Sequence, residues 1–419
     1  MATLFVLAAV ALLACLLPAR AGAFSYADVG AKQWARTYIS WVTDQQYGQQ
    51  RLLDDFDGAA FKPSAPLTRA QLARALVLAA RRQNDTFAPV ALTDVTADHP
   101  YFREIQIALK LRLMNASGGS FRPDASVPVW QADRAAVLLT KLTHPTQDWS
   151  MLRNLNPRIW RPNPGWDTHA PSYFATEVAA RFLGFRFNHP YGTEALELFP
   201  TEPIRRDEAA YTFYRVLHLS DWQVYSLRRF DAVKLPTLSA RQKEILAFAF
   251  KYEGYPFVYA GESAAKNSPY GYQDHGGFDC SGFTWWVMKI NFGYPILITQ
   301  RSAAQMAAAA KPRITRDKLQ AGDLIFFGPD GPKSTAASIY HAALYIGNGW
   351  FFHSTGSTDG VSLASLDWKG WGWNTDFACG RRLLKPSELP QTATPTPSPT
   401  PTPSPTQTPT PTPSPSPTR

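Results

Sequence analysis

Residues 278–290 read Phe-Asp-Cys-Ser-Gly-Phe-Thr-Trp-Trp-Val-Met-Lys-Ile, and this stretch decides how the C-terminal half of the chain folds. The apolar residues from Trp285 onward predict a buried helix that ends near Gly293. Asp279 stands near the N-cap position of that helix, so Cys280 is expected in its first turn. The sequence therefore predicts a cysteine at the start of a buried helix.

The position of Cys280 has chemical consequences. A thiol attacks only as a thiolate, and unpaired amide groups at a helix N-terminus lower the pKa of a nearby thiol. The same amides can bind the oxyanion that forms during acyl transfer. The small residues Ser281 and Gly282 leave room for a substrate backbone to approach. Buried structural cysteines are common, so a second feature is needed before this pattern indicates catalysis.

The second feature is a pair of histidines on a predicted β-hairpin. Residues 340–347 are predicted to form one strand and residues 350–354 the returning strand. A turn centred on Asn348 places His341 nearly opposite His353, where His353 can orient the imidazole of His341. A two-residue turn would place them on opposite faces, so this prediction depends on register. A lone histidine is more often structural, but two on one hairpin favour a general base.

These segments resemble the NlpC-type family of bacterial cell-wall cysteine peptidases. The resemblance rests on five groups of residues: Phe278 to Phe283, Arg301-Ser302 with Gln305, Leu319 to Phe327, His341 to Gly347, and Phe352 to Ser354. It implies a compact α+β fold of the papain type. It also implies that Cys280 is the nucleophile, His341 the general base and His353 the orienting residue.

The resemblance further implies a substrate class. Members hydrolyse peptide bonds in peptidoglycan stem peptides, often the γ-D-glutamyl bond to diaminopimelate or lysine, through a thioester acyl-enzyme. Asp279 and Ser281 stand where some members hold the free terminal amine of the stem. This chemistry needs no metal and no organic cofactor.

The chain departs from the family pattern within one motif. The family's Pro-Tyr-x-Trp/Tyr-Gly-Gly reads Pro-Phe-Val-Tyr-Ala-Gly at residues 256–261. Phe257 removes a hydroxyl beside the reacting centre, which is expected to reduce the rate or change specificity. Tyr259 is interpreted as a core residue rather than as a substitute. Cys379, in a predicted last strand, is interpreted as a small buried residue, with a disulfide to Cys280 as the alternative.

Three segments before residue 220 share a pattern of helix, loop and second helix. Thr68 is the predicted N-cap of the first of the second helices. The pattern resembles S-layer homology repeats, which anchor proteins to anionic, often pyruvylated, wall polysaccharide. By this resemblance Arg69 and, more loosely, Arg206 contact the polymer, whereas Gln131 stands where the second repeat should carry its arginine. The alternative is an all-helical domain whose arginines only cap and solvate helices.

The remaining segments define the expected boundaries. The apolar run at 4–17 followed by Ala21-Gly22-Ala23 predicts a signal peptide, with lipidation at Cys15 as the alternative. The expected units are a signal peptide at 1–23, helical repeats at 24–220, a linker at 221–237, a peptidase domain at 238–386 and a disordered Thr/Pro/Ser-rich tail at 387–419. No other apolar stretch is long enough to span a membrane. The mature protein is therefore expected outside the cytoplasmic membrane, at the wall or surface of a bacterium.

The net charge of +9 indicates attraction to anionic material. The basic residues are scattered through the chain, which argues against a nucleic-acid partner. Either an ordinary basic surface or an anionic wall polymer fits this distribution.

The sequence therefore predicts a multidomain protein with an all-α repeat domain followed by an α+β, papain-like domain. The expected function is a wall-anchored cysteine peptidase that acts on peptidoglycan stem peptides. Two alternatives stay open: another acyl transfer on the same fold, such as transpeptidation, and a wall-binding surface protein whose catalytic domain has lost activity. Phe257 favours the second alternative slightly, whereas the intact Cys280, His341 and His353 oppose it.

Overall fold

The computed structural model describes residues 26–53, 59–161, 166–268, 271–297 and 299–391. The predicted signal peptide and all but the first few residues of the predicted tail lie outside these ranges. Within the described ranges, no helix is both long enough and apolar enough to cross a membrane.

The N-terminal domain is built from helices. They are α1 (Arg36–Asp44), α2 (Arg69–Ala79), α3 (Phe102–Lys110), α4 (Val129–Thr143), α5 (Ser150–Trp160), α6 (Phe174–Phe182), α7 (Arg206–Leu217) and α8 (Asp221–Ser226). A short ribbon of β1 (Gln46–Tyr47) and β2 (Gln50–Arg51) follows α1. Helix α3 packs on α2, α6 packs on α4, and α1 packs on α7. The first helix of each predicted repeat therefore packs against the second helix of a neighbouring repeat.

The loops that precede α2, α4 and α7 join in a closed ring. The amide of Leu67 donates to the carbonyl of Ile204 (2.9 Å), Ile204 donates to Val127 (2.8 Å), and Val127 donates to Leu67 (3.0 Å). Thr68 caps α2 as predicted, because its hydroxyl accepts from the amide of Gln71 while the Gln71 side chain accepts from the amide of Thr68. The ring brings the N-termini of the three second helices together.

The C-terminal domain surrounds a five-stranded antiparallel sheet. Its helices are α9 (Ala240–Phe250), α10 (Cys280–Trp285), α11 (Ala303–Ala308) and α12 (Trp373–Asp376). Four short strands precede the sheet: β3 (Glu262–Ser263), β4 (Asn267–Ser268), β5 (Gly271–Tyr272) and β6 (Gly277–Phe278). The sheet strands are β7 (Leu324–Phe327), β8 (His341–Gly347), β9 (Trp350–Thr355), β10 (Gly360–Ser365) and β11 (Phe377–Arg381). Their order is β10-β9-β8-β7-β11, so the predicted histidine hairpin, β8-β9, lies in the interior of the sheet.

Helix α10 begins at Cys280, as predicted, and continues as a π-helical turn over Trp286–Asn291. Gly293, with φ +68°, follows its end. Trp285 and Met288 are completely buried, which explains why this stretch folds against the sheet: burying large apolar side chains is the main favourable contribution to folding.

The two domains share one core. The ring of Phe174 on α6 lies 5.7 Å from Phe250 and 6.1 Å from Phe352 of the C-terminal domain. The segment expected to be a linker, 221–237, is folded, and its Phe230 is buried against Phe182 of α6. Aromatic pairs of this kind each contribute about 0.5–1.5 kcal/mol beyond the area they bury. The repeat domain is therefore packed directly on the sheet.

Candidate active site

Cys280 lies where the sequence predicts it. Asp279 is the N-cap of α10, and its carboxylate accepts a hydrogen bond of 2.6 Å from the amide of Gly282. Cys280 is partly buried and faces a cleft of about 830 Å³ that His341 also lines. Cys280 and Cys379 are both free thiols, so the alternative of a disulfide between them is excluded.

The pKa of Cys280 is shifted upward, whereas the sequence predicted a downward shift. Burial raises the pKa of the thiol to about 11, and the negative charge of Asp279 acts in the same direction. The amides of Ala342 and Ser281 and the guanidinium of Arg301 favour the thiolate, but more weakly. The prediction of a lowered pKa was therefore wrong, because desolvation of the charged form outweighs the amides at the helix N-terminus.

The two histidines share a face, but not through the expected turn. The turn has two residues, Asn348 and Gly349, both left-handed with φ +51° and +81°. That turn was expected to separate the histidines. A β-bulge at residues 345–347 adds one residue to β8 and shifts the register back. As a result Nε2 of His341 lies 2.7 Å from Nδ1 of His353.

Both imidazoles are held neutral by their surroundings. Burial lowers the pKa of His341 to about 3 and that of His353 well below its usual value. Trp373 contributes to this apolar enclosure, with its ring 5.2 Å from His341 and 5.1 Å from His353. Because Nε2 of His341 is engaged with His353, Nδ1 is the remaining nitrogen for proton transfer.

Arg301 is a functional candidate to which the sequence reasoning assigned no role. Its guanidinium donates to Glu262 (2.8 Å), to Asp279 (3.1 Å), to the hydroxyl of Ser281 (2.9 Å) and to the carbonyl of Gly261 (2.8 Å). It therefore ties the strand before the cleft to the first turn of α10. The sequence signals were its place immediately before a capping serine and its inclusion among the residues of the family resemblance.

Asp279 and Ser281, predicted to hold a terminal amine, line the cleft together. The Ser281 hydroxyl also donates to Asp279 at 3.0 Å. Arg301 pairs with Glu262 as well as with Asp279, so one guanidinium faces two carboxylates and the group keeps a net negative charge beside the cleft. Their contact with substrate stays a prediction.

Gly282 does not leave room for a substrate, contrary to the expectation. A Cβ at Gly282 would lie 1.9 Å from the carbonyl oxygen of Gly261 and 2.5 Å from Nη2 of Arg301. The missing side chain therefore permits α10 to approach the neighbouring backbone.

The motif at residues 256–261, which departs from the family pattern, forms part of the cleft wall. Phe257 and Tyr259 both line the cleft. Tyr259 is 64% exposed and its ring lies 5.4 Å from that of Tyr191 in the third repeat, so its interpretation as a core residue was wrong. Ala260, which replaces the family's first glycine, has φ +56° in the left-handed region.

The two arginines predicted to bind a wall polymer lie in different environments. Arg69 lines a groove of about 470 Å³ and donates to the carbonyl of Phe121 and to Oε1 of Gln131, both at 2.7 Å. Gln131, which stands where the second repeat was expected to carry its arginine, thus holds Arg69 in place. Arg206 is buried and donates to the carbonyl of Phe61 at 3.1 Å.

Two family models match parts of the chain. Residues 254–379, which include Cys280, His341 and His353, match the model of the NlpC/P60 family. We call this part of the chain the NlpC/P60 domain, after the family model that it matches. Residues 91–127 match the S-layer homology domain. The resemblances drawn from the sequence are therefore confirmed for the NlpC/P60 domain and for the second repeat.

Several known proteins are similar to parts of this chain. The chain is 29% identical over 250 residues to a gamma-D-glutamyl-L-lysine dipeptidyl-peptidase from Bacillus cereus, covering 54% of this chain and 66% of the relative. It is 31% identical over 140 residues to the Bacillus subtilis protein of the same name, covering 33% and 41%. It is 30% identical over 141 residues to the peptidoglycan endopeptidase RipB of Mycobacterium tuberculosis, covering 32% and 53%. The chain thus spans less than two thirds of the length of each of these relatives.

Proposed function

We propose that the NlpC/P60 domain is a cysteine peptidase that hydrolyses peptide bonds in peptidoglycan stem peptides. The observation that carries the proposal is one cleft that contains Cys280 at a helix start and His341 bonded to His353 at 2.7 Å. A thiol, a neutral imidazole and an orienting group are the parts that acyl transfer through cysteine requires.

The resting state sets the order of proton transfer. Since the thiol and both imidazoles are neutral, Nδ1 of His341 takes the thiol proton as Sγ of Cys280 attacks the carbonyl carbon. The carbonyl oxygen becomes an oxyanion beside the amides at the start of α10. When the tetrahedral intermediate collapses, the C–N bond breaks and His341 returns the proton to the leaving amine. The thioester that remains is hydrolysed by a water that His341 deprotonates.

His353 acts on this sequence through His341. It fixes the ring orientation and stabilises the imidazolium that forms transiently. Asp279 and Ser281 contact the free terminal amine of the stem. The bond cleaved is the γ-D-glutamyl bond to a diamino acid, a specificity supported by two relatives that are named gamma-D-glutamyl-L-lysine dipeptidyl-peptidases.

The repeat domain anchors the enzyme to anionic wall polysaccharide. Support comes from the S-layer homology match and from the groove at Arg69, which Arg122, Arg134 and Trp130 also line. Cationic groups beside an aromatic surface suit an acidic sugar polymer. Burial of Arg206 makes it a weaker candidate contact. In this proposal the protein is secreted. Its repeats span 24–220, the linker 221–237 and the peptidase domain 238–386.

A second candidate is a wall-binding protein with impaired catalysis. Phe257 lines the cleft without the hydroxyl of the family motif. In that case the cleft would bind stem peptides without cleaving them.

The test is mass spectrometry of defined stem peptides and of whole peptidoglycan after incubation with the protein. Wild type and Cys379→Ala, the matched control for the second free thiol, should both release new fragments, whereas Cys280→Ala should release none. The fragment masses identify the bond, and incorporation of an added amine acceptor would indicate transpeptidation. No new fragments from wild type, under reducing conditions and across a range of pH, would overturn the peptidase proposal and favour the binding protein.

A further inference from the structure

A buried arginine of the repeat domain bonds to the NlpC/P60 domain. Arg181 on α6 is completely buried. Its Nε donates to Glu177 on the same helix at 3.0 Å, and its Nη1 donates to Asp359 at 3.1 Å. Its Nη2 donates to the carbonyl of Gly254. One guanidinium therefore joins α6 to two separate backbone segments of the catalytic domain.

Both of these segments lead into the cleft. Gly254 lies three residues before Phe257, which lines the cleft. Residues 356–359 form the turn between β9 and β10, and Asp359 is its last residue. The first residue of the turn, Gly356, and the preceding Thr355 also line the cleft. A movement of either anchor point would therefore move a wall of the cleft.

The backbone has positive φ angles at both anchor points, and neighbouring atoms pack closely against Gly254 and Gly360. Gly254 has φ +84°, and a Cβ there would lie 2.6 Å from Cγ of Glu177. Asp359 has φ +52°, a conformation that residues other than glycine rarely adopt. A Cβ at Gly360 would lie 2.0 Å from the carbonyl oxygen of Tyr255. A left-handed residue such as Asp359 persists where the surrounding structure fixes it, and Arg181 bonds to Asp359 and to the carbonyl of Gly254.

The third repeat approaches the same wall at two further points. Nδ2 of Asn188 lies 2.9 Å from the position that a Cβ of Gly356 would occupy. The exposed ring of Tyr191 contacts Tyr259 at the cleft. The third repeat therefore approaches this side of the cleft at Asn188 and Tyr191 as well as through the Arg181 ion pair.

We propose that Arg181 is a positioning residue for the active-site cleft. It fixes the 356–359 turn and the Gly254 segment, so the third repeat sets the position of the cleft wall that Phe257, Thr355 and Gly356 form. The kinetic consequence rests on the proposed peptidase function, whereas the structural consequence does not.

The test compares Arg181→Met with Arg74→Met in the full chain. Arg74 is a matched control, because it is buried on α2 in the first repeat and donates to the carbonyl of Leu52 at 3.3 Å. Hydrogen exchange of residues 355–361 should accelerate in Arg181→Met and stay unchanged in Arg74→Met. With a stem peptide as substrate, Arg181→Met should lower kcat/KM about tenfold or more, mainly through KM.

Further variants keep the proposal testable if the methionine variant does not fold. Asp359→Asn removes the charge but keeps the shape, and Arg181→Lys keeps the charge but loses the forked geometry. Both should accelerate exchange at 355–361, by less than Arg181→Met. If Arg181→Met and Arg74→Met lower Tm by the same amount and also show equal exchange at 355–361 and equal KM, the role of Arg181 is merely structural. Because exchange needs no turnover, an inactive enzyme would still report on the turn.

Discussion

The protonation state of Cys280 gives a prediction that separates two mechanisms. A pKa of about 11 leaves a thiolate fraction on the order of 10⁻⁴ at about pH 7. The alkylation rate of Cys280 should therefore rise about tenfold for each pH unit, or about 100-fold between about pH 7 and about pH 9. A preformed thiolate–imidazolium pair would instead react at a constant rate over that range.

The assay is alkylation with iodoacetamide at a series of pH values. Peptide mapping by mass spectrometry separates Cys280 from Cys379, which is also a free thiol. Asp279→Asn provides the control, because asparagine retains the N-cap but removes a charge that raises the pKa of Cys280. In Asp279→Asn, the alkylation rate of Cys280 should begin to rise at a lower pH than in the wild type.

A rate that does not change between about pH 6 and about pH 9 would refute this reasoning. It would show that the amides at the start of α10 outweigh the burial of Cys280, and that the thiol is ionised before substrate binds. The proton transfer proposed to accompany attack would then be replaced by attack of a preformed thiolate.

Four further predictions concern the site. His353→Ala should lower kcat on the order of 100-fold or more in stem-peptide hydrolysis, with His353→Asn, which keeps a hydrogen-bonding group, losing less. Because burial lowers the pKa of His341 to about 3, the unfolded chain binds an extra proton below about pH 6.5, so stability contributed by His341 is lost as pH falls. By about pH 5 that loss is about 2 kcal/mol, and thermal melts should show a smaller acid effect in His341→Gln. Ala260→Gly should raise the unfolding free energy by about 1 kcal/mol in denaturant titrations by relieving its left-handed φ, and an unchanged or lower value would contradict this. Gly282→Ala should lower stability by about 3 kcal/mol or more, because its Cβ would overlap the carbonyl of Gly261, and soluble, equally stable protein would be the contrary outcome.

The local features of the site were readable from the sequence because short-range physics determines them. Asp279 caps a helix wherever its side chain can reach the amide three residues later, so the placement of Cys280 followed from spacing alone. The Thr68 cap and the histidine strands are local in the same way. The family resemblance then assigned roles that spacing could not supply.

The face shared by the histidines depended on more than local pattern. The sequence indicated a hairpin but not its register. One extra residue in β8 decided whether His341 and His353 meet, and a bulge has no clear signal in a single sequence.

Only the tertiary structure decided the electrostatics of the site and its outer wall. The direction of the Cys280 pKa shift depends on how much of the chain excludes water from the thiol, and that burial comes from distant segments. The role of Arg301 depends on bringing together groups about 20 to 40 residues away in the chain. The bond between Arg181 and Asp359 spans 178 residues and two domains. Sequence determines what each short segment can form, whereas the packing of remote segments determines which charges are paired and which surfaces meet the substrate.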